Sequence, residues 1–143
     1  MAPPQPASPR QVFERHRRAI TARAWSELSN LYADDAVVEL PFNLPHPLRL
    51  VGREQLHARF LAGSRLPLEL EVRNLVVRET DDPEVIVAEF DYDGRNTSSG
   101  REVSVANVIV MCVRDGRIVW SKDYHNHAVL AQVVGEVLEL TTP

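Results

Sequence analysis

Near the C-terminal end of the chain, Ser121, Asp123 and His125 alternate along Arg117-Ile118-Val119-Trp120-Ser121-Lys122-Asp123-Tyr124-His125. In an extended strand alternate side chains share one face. Val119, Ser121, Asp123 and His125 are therefore expected to point inward, with Trp120, Lys122 and Tyr124 outward. A carboxylate facing an apolar interior has its pKa raised by desolvation, which brings it toward the range useful to a general acid or base at neutral pH. Asp123 is the first candidate for chemistry, with His125 beside it as a second acid/base group or a hydrogen-bonder to a ligand. The competing reading of Asp123 is a rim carboxylate paired to Arg or Lys. His127 continues the alternation, so Asp123, His125 and His127 could form an N/O metal site only if the strand runs past Asn126. No metal and no cofactor are expected.

The elements that must position these groups are readable from period and punctuation. Residues 1–8 read as a leader of Pro, Ala, Gln and Ser with too little apolar surface to fold. A single domain over 9–140 follows. Ser8, Pro9 and Gln11 form a capping-box start for a helix over 9–23, with Val12, Phe13, His16, Ala19, Ile20 and Arg23 on one face. A second helix is expected over 25–32 and strands over 36–42 and 49–51. A third helix, 53–62, turns Leu56, Phe60 and Leu61 inward and stops at Gly63. The period then changes to two, with strands over 68–80, 85–93, 102–114 and 117–126. Asp115-Gly116 is a hairpin signal, and 127–138 reads as a terminal helix. Helices followed by consecutive long strands describe an α+β domain in which a curved antiparallel sheet wraps the long N-terminal helix and leaves a cavity.

Parity also assigns the cavity wall. In 85–93 the inward set is Ile86, Ala88, Phe90 and Tyr92, while Glu89 and Asp91 fall on a solvated outer face. Leu40, Phe42, Phe60, Ile86, Ala88, Phe90, Met111 and Ser121 are the expected ligand contacts, core packing being the competing account of the apolar ones. His46 and His57 have no supporting context.

Composition narrows the partners. A net charge of -4 argues against a nucleic-acid or anionic-membrane surface, and no stretch is long and uncharged enough to cross a bilayer. Cys112, the single cysteine, sits in an apolar run and excludes an intramolecular disulfide, which fits a reducing cytoplasm. An outer sheet face carrying Trp120, Tyr124 and several valines predicts a homodimer.

The segment from Leu31 to Pro41, with Tyr32-Ala33-Asp34-Asp35-Ala36 at its centre, resembles the helix-to-strand junction of ketosteroid-isomerase-like proteins. Phe90-Asp91-Tyr92-Asp93-Gly94-Arg95 resembles a later hairpin of theirs. Asp115-Gly116-Arg117-Ile118-Val119, followed by Lys122-Asp123-Tyr124, is similar to the last hairpin of SnoaL-like polyketide cyclases and limonene epoxide hydrolases. The resemblance covers about residues 10–135 and implies a cone of the nuclear-transport-factor-2-like, cystatin-like kind.

Carried over residue by residue, the resemblance is partial. The catalytic Asp of limonene epoxide hydrolases matches Asp123. Their Arg and second Asp fall near Ala88 and Phe90, or near Glu89 and Asp91 if the hairpin is shifted, with no Arg in either register, and their water-holding Tyr and Asn fall on Val38 and Leu40, so that hydrolysis is not expected. The ketosteroid isomerase base falls on Leu40, and its oxyanion-hole Tyr and protonated Asp fall on His16 and Asn107, which could still donate hydrogen bonds to a carbonyl oxygen. Asp123-Tyr124-His125-Asn126 resembles an ending of phenazine-biosynthesis A/B proteins, whose pocket His matches near Arg59. The resemblance implies a cofactor-free enzyme of secondary metabolism, of the lyase or isomerase class. It would cyclise, isomerise or dehydrate a polycyclic or aromatic carbonyl compound, with Asp123 and His125 moving protons and Asn107 and His16 holding oxygen. The alternatives are a non-catalytic ligand-binding or assembly module and, behind it, a phenazine-type condensation.

Overall fold

The computed structural model describes residues 4–132. Helix α1, Pro9–Ala22, begins with both halves of the expected capping box: Gln11 N–H donates to Ser8 Oγ, and Ser8 N–H donates to Gln11 Oε1. Its apolar stripe buries Val12, Phe13, His16 and Ala19. Arg23 ends it in the left-handed region at φ 56°. From there the Arg23 guanidinium donates to the carbonyls of Ser64, Leu66 and Leu68, tying the end of the first helix to the segment after the third.

Helix α2, Trp25–Asn30, is shorter than the sequence predicts, and strand β1, Tyr32–Leu40, starts earlier. The cause is tertiary. Ile118 N–H donates to Leu31 O at 2.8 Å, and Tyr32 pairs with Ile118, so Tyr32 leaves the helical pattern and becomes a buried strand residue. The register then shifts before Val37, and Asp34 and Asp35 are exposed on this irregular stretch. Strand β2, Leu48–Val51, pairs antiparallel with β1. Helix α3, Arg53–Ser64, runs past Gly63 rather than stopping there. Leu56 is buried on its inner side while Leu61 is exposed.

Strands β3, Leu68–Glu79, β4, Val85–Asn96, β5, Glu102–Arg114, and β6, Arg117–His125, complete a six-stranded sheet of order β2-β1-β6-β5-β4-β3. All neighbours are antiparallel except β1 and β6, which are parallel. Irregularities on β1, between Arg73 and Val76 on β3, and between Cys112 and Val113 on β5 break the ladders, the device by which a sheet bends. The bulge beside Cys112 also corrects the expected parity of β6. Val113 pairs with Ile118 but Cys112 pairs with Trp120, so Val119 is skipped, Ile118 is the buried residue, and the inward set resumes at Ser121.

Both faces of β4 follow the alternation. Ile86, Ala88, Phe90 and Tyr92 are buried. Glu89 pairs with Arg78 at 3.4 Å, and Asp91 accepts from Asn74 Nδ2 at 2.8 Å, both on the exposed side. The chain after β6 turns helical over residues 127–132; the remainder of the terminal helix expected to residue 138 lies outside the described residues. No helix among the described residues is long and apolar enough to cross a membrane.

Candidate functional site

Between the helices and the inner face of the sheet lies a cavity of about 190 Å³. Helix α1 supplies His16 and Ile20, α2 supplies Trp25, and β1 supplies Tyr32, Val38 and Leu40. Helix α3 turns Leu56, Arg59, Phe60 and Gly63 to it, one stripe at helical spacing. The far wall is Tyr92, Ile109, Asp123 and His125 from the last three strands. A larger groove of about 630 Å³ lies among Glu69, Glu71, Arg73, Asp93, Arg95 and Glu102. There Arg73 is paired with Glu71 and Asp93. The smaller cavity is the one that gathers buried titratable groups, His16, Tyr32, Tyr92, Asp123 and His125.

Asp123 stands on its wall with Ser121 Oγ donating to Asp123 Oδ1 at 2.9 Å. Burial disfavours the charged form and raises the carboxyl from 3.8 to about 6, the Ser121 hydrogen bond opposing in part. Tyr32 and Tyr92 are both buried. Burial and then the charge of Asp123 push both phenols above their ordinary value. They remain neutral hydroxyls, able to donate, and close enough to Asp123 to sense its charge.

His125 is oriented by a chain of two hydrogen bonds. Asn107 Nδ2 donates to Val105 O at 2.8 Å, which turns Asn107 Oδ1 toward His125 Nδ1 at 2.6 Å. The amide oxygen accepts only, so Nδ1 carries the proton and Nε2 presents a lone pair. Burial, with the neighbouring His127 and His16, lowers His125 to about 4. His16, stacked on Phe13 with ring centroids 5.8 Å apart, is lowered to about 4 by burial alone. Both imidazoles are neutral at pH 7.

Of the residues singled out in the sequence, Asp123, His125, His16, Leu40 and Phe60 meet at the cavity. Ser121 acts one step behind, through Asp123. Asn107 is 4% exposed and its amide is engaged at both ends, so it positions His125 instead of offering a hydrogen bond to a ligand. Ile86, Ala88, Phe90 and Met111 are buried in the packed core rather than on the cavity wall. Phe42 is 61% exposed, because β1 ends at Leu40 and the following turn carries Phe42 outside, edge-on to Tyr124 at 5.3 Å. His127 leaves the strand alternation as helix begins, and no three metal-ligating side chains converge among the described residues.

Tyr32 enters the site because it belongs to β1 and not to α2. Arg59, near which the phenazine-biosynthesis resemblance puts a pocket His, lines the cavity three residues after Leu56 and one before Phe60. Tyr92 was already inward by parity.

A family model described as a SnoaL-like domain matches residues 13–121. An uncharacterised PhzA/B-like protein of Pseudomonas aeruginosa is 32% identical over 119 residues, 81% of this chain and 80% of its own length. Among solved structures, a candidate isomerase from Bacillus subtilis superposes with a TM-score of 0.79 at 23% identity, covering 87% of this chain and 90% of that one. A candidate polyketide cyclase from Pseudomonas putida superposes with a TM-score of 0.72 at 16% identity, covering 85% and 94%.

Proposed function

Because this chain belongs to the SnoaL-like family, we propose that it is a cofactor-free enzyme of secondary metabolism, acting in the cytoplasm by acid/base chemistry on a small, largely apolar carbonyl compound. The observation that carries this reading is the Asp123 carboxyl, raised to about 6 in an apolar cavity and flanked by two neutral tyrosines. Near neutral pH it is ionised yet basic enough to take a proton from carbon beside a carbonyl. The C–H bond breaks, its electron pair moves onto the carbonyl oxygen, and the Tyr32 and Tyr92 hydroxyls stabilise the developing oxyanion. The protonated Asp123 then returns the proton at another carbon, giving isomerisation, or the enolate closes a ring or expels a leaving group. His125 Nε2 accepts a hydrogen bond from the ligand.

The substrate is smaller than a polycyclic compound. Sites for drug-sized ligands run from about 300 to 1,000 Å³, whereas this cavity is about 190 Å³, which suits one ring. The test is α-proton exchange of cyclohex-3-enone in D2O, followed by NMR in the wild type and in Asp123→Asn. Catalysed exchange that inflects near pH 6 and is lost in the variant supports the reading. Exchange equal in both proteins, with the ketone still bound, moves the assignment to a non-catalytic binding module. That rival is favoured by Leu40, which leaves the β1 wall without a carboxylate. The PhzA/B-like relative keeps a phenazine-type condensation as the lesser alternative. Exposed Phe42 and Leu44 support a homodimer, which sedimentation giving a monomer at micromolar concentration would refute.

A further inference from the structure

His16 on α1 and His125 on β6 face the same cavity. His16 is 5% exposed and is held by ring packing: it stacks on Phe13, Phe13 meets Phe90, and Phe90 meets Tyr92 at 5.0 Å. Tyr92 in turn lies beside His125, ring centroids 6.1 Å apart, and His16 is near enough to His125 to act on it electrostatically. Among the described residues, neither nitrogen of His16 has a hydrogen-bond partner. The polar side-chain atoms sealed away without a partner among those residues are Asn96 Nδ2 and His127 Nε2, whereas the His16 imidazole opens on the cavity. His125 is unpaired at its far end as well: Nδ1 is taken by Asn107 Oδ1 at 2.6 Å, and no donor among the described residues reaches Nε2. Buried polar groups are normally paired, so two such rings turned into one space point to a ligand group that pairs them.

The two rings ask for different things. With Nδ1–H engaged by Asn107, His125 offers the cavity a lone pair only, while a neutral His16 offers one N–H and one lone pair. A carbonyl or carboxylate oxygen accepts only and would leave His125 Nε2 unpaired. An ammonium donates only, and the burial that keeps both imidazoles neutral disfavours it too. A hydroxyl does both. We infer that His16 and His125 form a hydroxyl subsite, in which a ligand O–H donates to His125 Nε2 while its oxygen accepts from a His16 N–H. The inference rests on the acid/base reading of the cavity and deepens it: the substrate is a ring ketone bearing a hydroxyl away from the carbonyl that Tyr32 and Tyr92 hold. Both imidazoles are neutral near pH 7, so neither is an acid able to protonate a leaving oxygen. The pair binds the hydroxyl and does not expel it.

The test is NMR titration of the full chain, its histidine nitrogens isotope-labelled, with 3- and 4-hydroxycyclohexanone, their methyl ethers, and cyclohexanone. The wild type is expected to bind one of the hydroxy ketones about tenfold more tightly than its ether or cyclohexanone. The His125 Nε2 resonance is expected to move to lower frequency with that hydroxy ketone and with neither ether. His16→Phe, which keeps a ring against Phe13, is expected to erase the preference, and Asp123→Asn to keep it, because the acid does not hold the hydroxyl. Equal affinity for all five compounds in the wild type, or an Nε2 resonance unmoved at saturation, overturns the inference and leaves the acid/base reading standing, with water in the subsite. A preference that survives in His16→Phe but is lost in Asp123→Asn moves the hydroxyl to the carboxylate and overturns it equally. Failure of all five compounds to bind removes the small-carbonyl cavity itself, and the inference with it.

Discussion

Asn107 and His125 stand directly opposite one another across the β5–β6 ladder, and a 2.6 Å hydrogen bond joins Asn107 Oδ1 to His125 Nδ1. The register of two strands therefore fixes the tautomer of the imidazole. Removing the amide should release it. In Asn107→Ala, the imidazole nitrogen spectrum is expected to change from a single Nδ1–H form to a mixture of tautomers. Val105 O and His125 Nδ1 both lose a partner, at a cost of about 1–3 kcal/mol. A wild-type-like nitrogen spectrum in the variant would show that something other than Asn107 orients the ring.

The pH dependence of stability separates Asp123 from the histidines. Asp123 has a folded pKa raised from 3.8 to about 6, so its contribution is fully present below about pH 4 and is lost as pH rises through 6. Asp123→Asn should be more stable than the wild type at pH 8, by on the order of 2 kcal/mol, with no advantage left at pH 4. His16 and His125 run the other way. Their folded values, lowered from 6.5 to about 4, contribute stability above 6.5 that is lost as pH falls through 4. Urea denaturation of both proteins at pH 4, 6 and 8 measures the difference; an advantage for the variant that is the same at all three would exclude a buried carboxylate.

Tyr92→Phe keeps the ring packed on Phe90, with centroids now 5.0 Å apart, and removes the hydroxyl near Asp123. Turnover is expected to fall by about 10²–10³, the typical loss of one oxyanion donor, with little change in ligand affinity. A rate within a factor of about two of the wild type would remove Tyr92 from the proposed chemistry.

Arg53 holds the start of β1 by donating to Tyr32 O at 3.0 and 2.6 Å and pairing with Asp34. Arg53→Met should destabilise the protein by about 1–3 kcal/mol. Amide exchange at Ile118, which donates to Leu31 O beside this anchor, is expected to accelerate. Unchanged exchange at Ile118 would mean that the β1–β6 pairing alone holds Tyr32.

What could be read ahead of the structure was what local chemistry encodes. The cap at Ser8, the Asp115-Gly116 hairpin and the alternation that turns Tyr92, Asp123 and His125 inward all depend on residues close in sequence. The misplacements share the opposite cause. Tyr32 becomes a strand residue through Ile118, far along the chain. Val119 is displaced by a bulge on the neighbouring strand. The resemblance matches Asn107 to a hydrogen-bond donor of the site, but its engagement at both ends follows from the β5–β6 register. Phe42 missed the wall because β1 stops two residues before it.

Asp123 and the residues that orient the site's polar groups sit on β5 and β6, whereas another part of the cavity wall is the α3 stripe ending at Gly63. A methyl group added at Gly63 would meet nothing within 4 Å. Residues on that stripe can be exchanged without disturbing a strand ladder. On the proposed acid/base reading, the proton chemistry rests on the strands and part of the cavity wall on a helix, so a descendant could change what it accepts while keeping how it reacts.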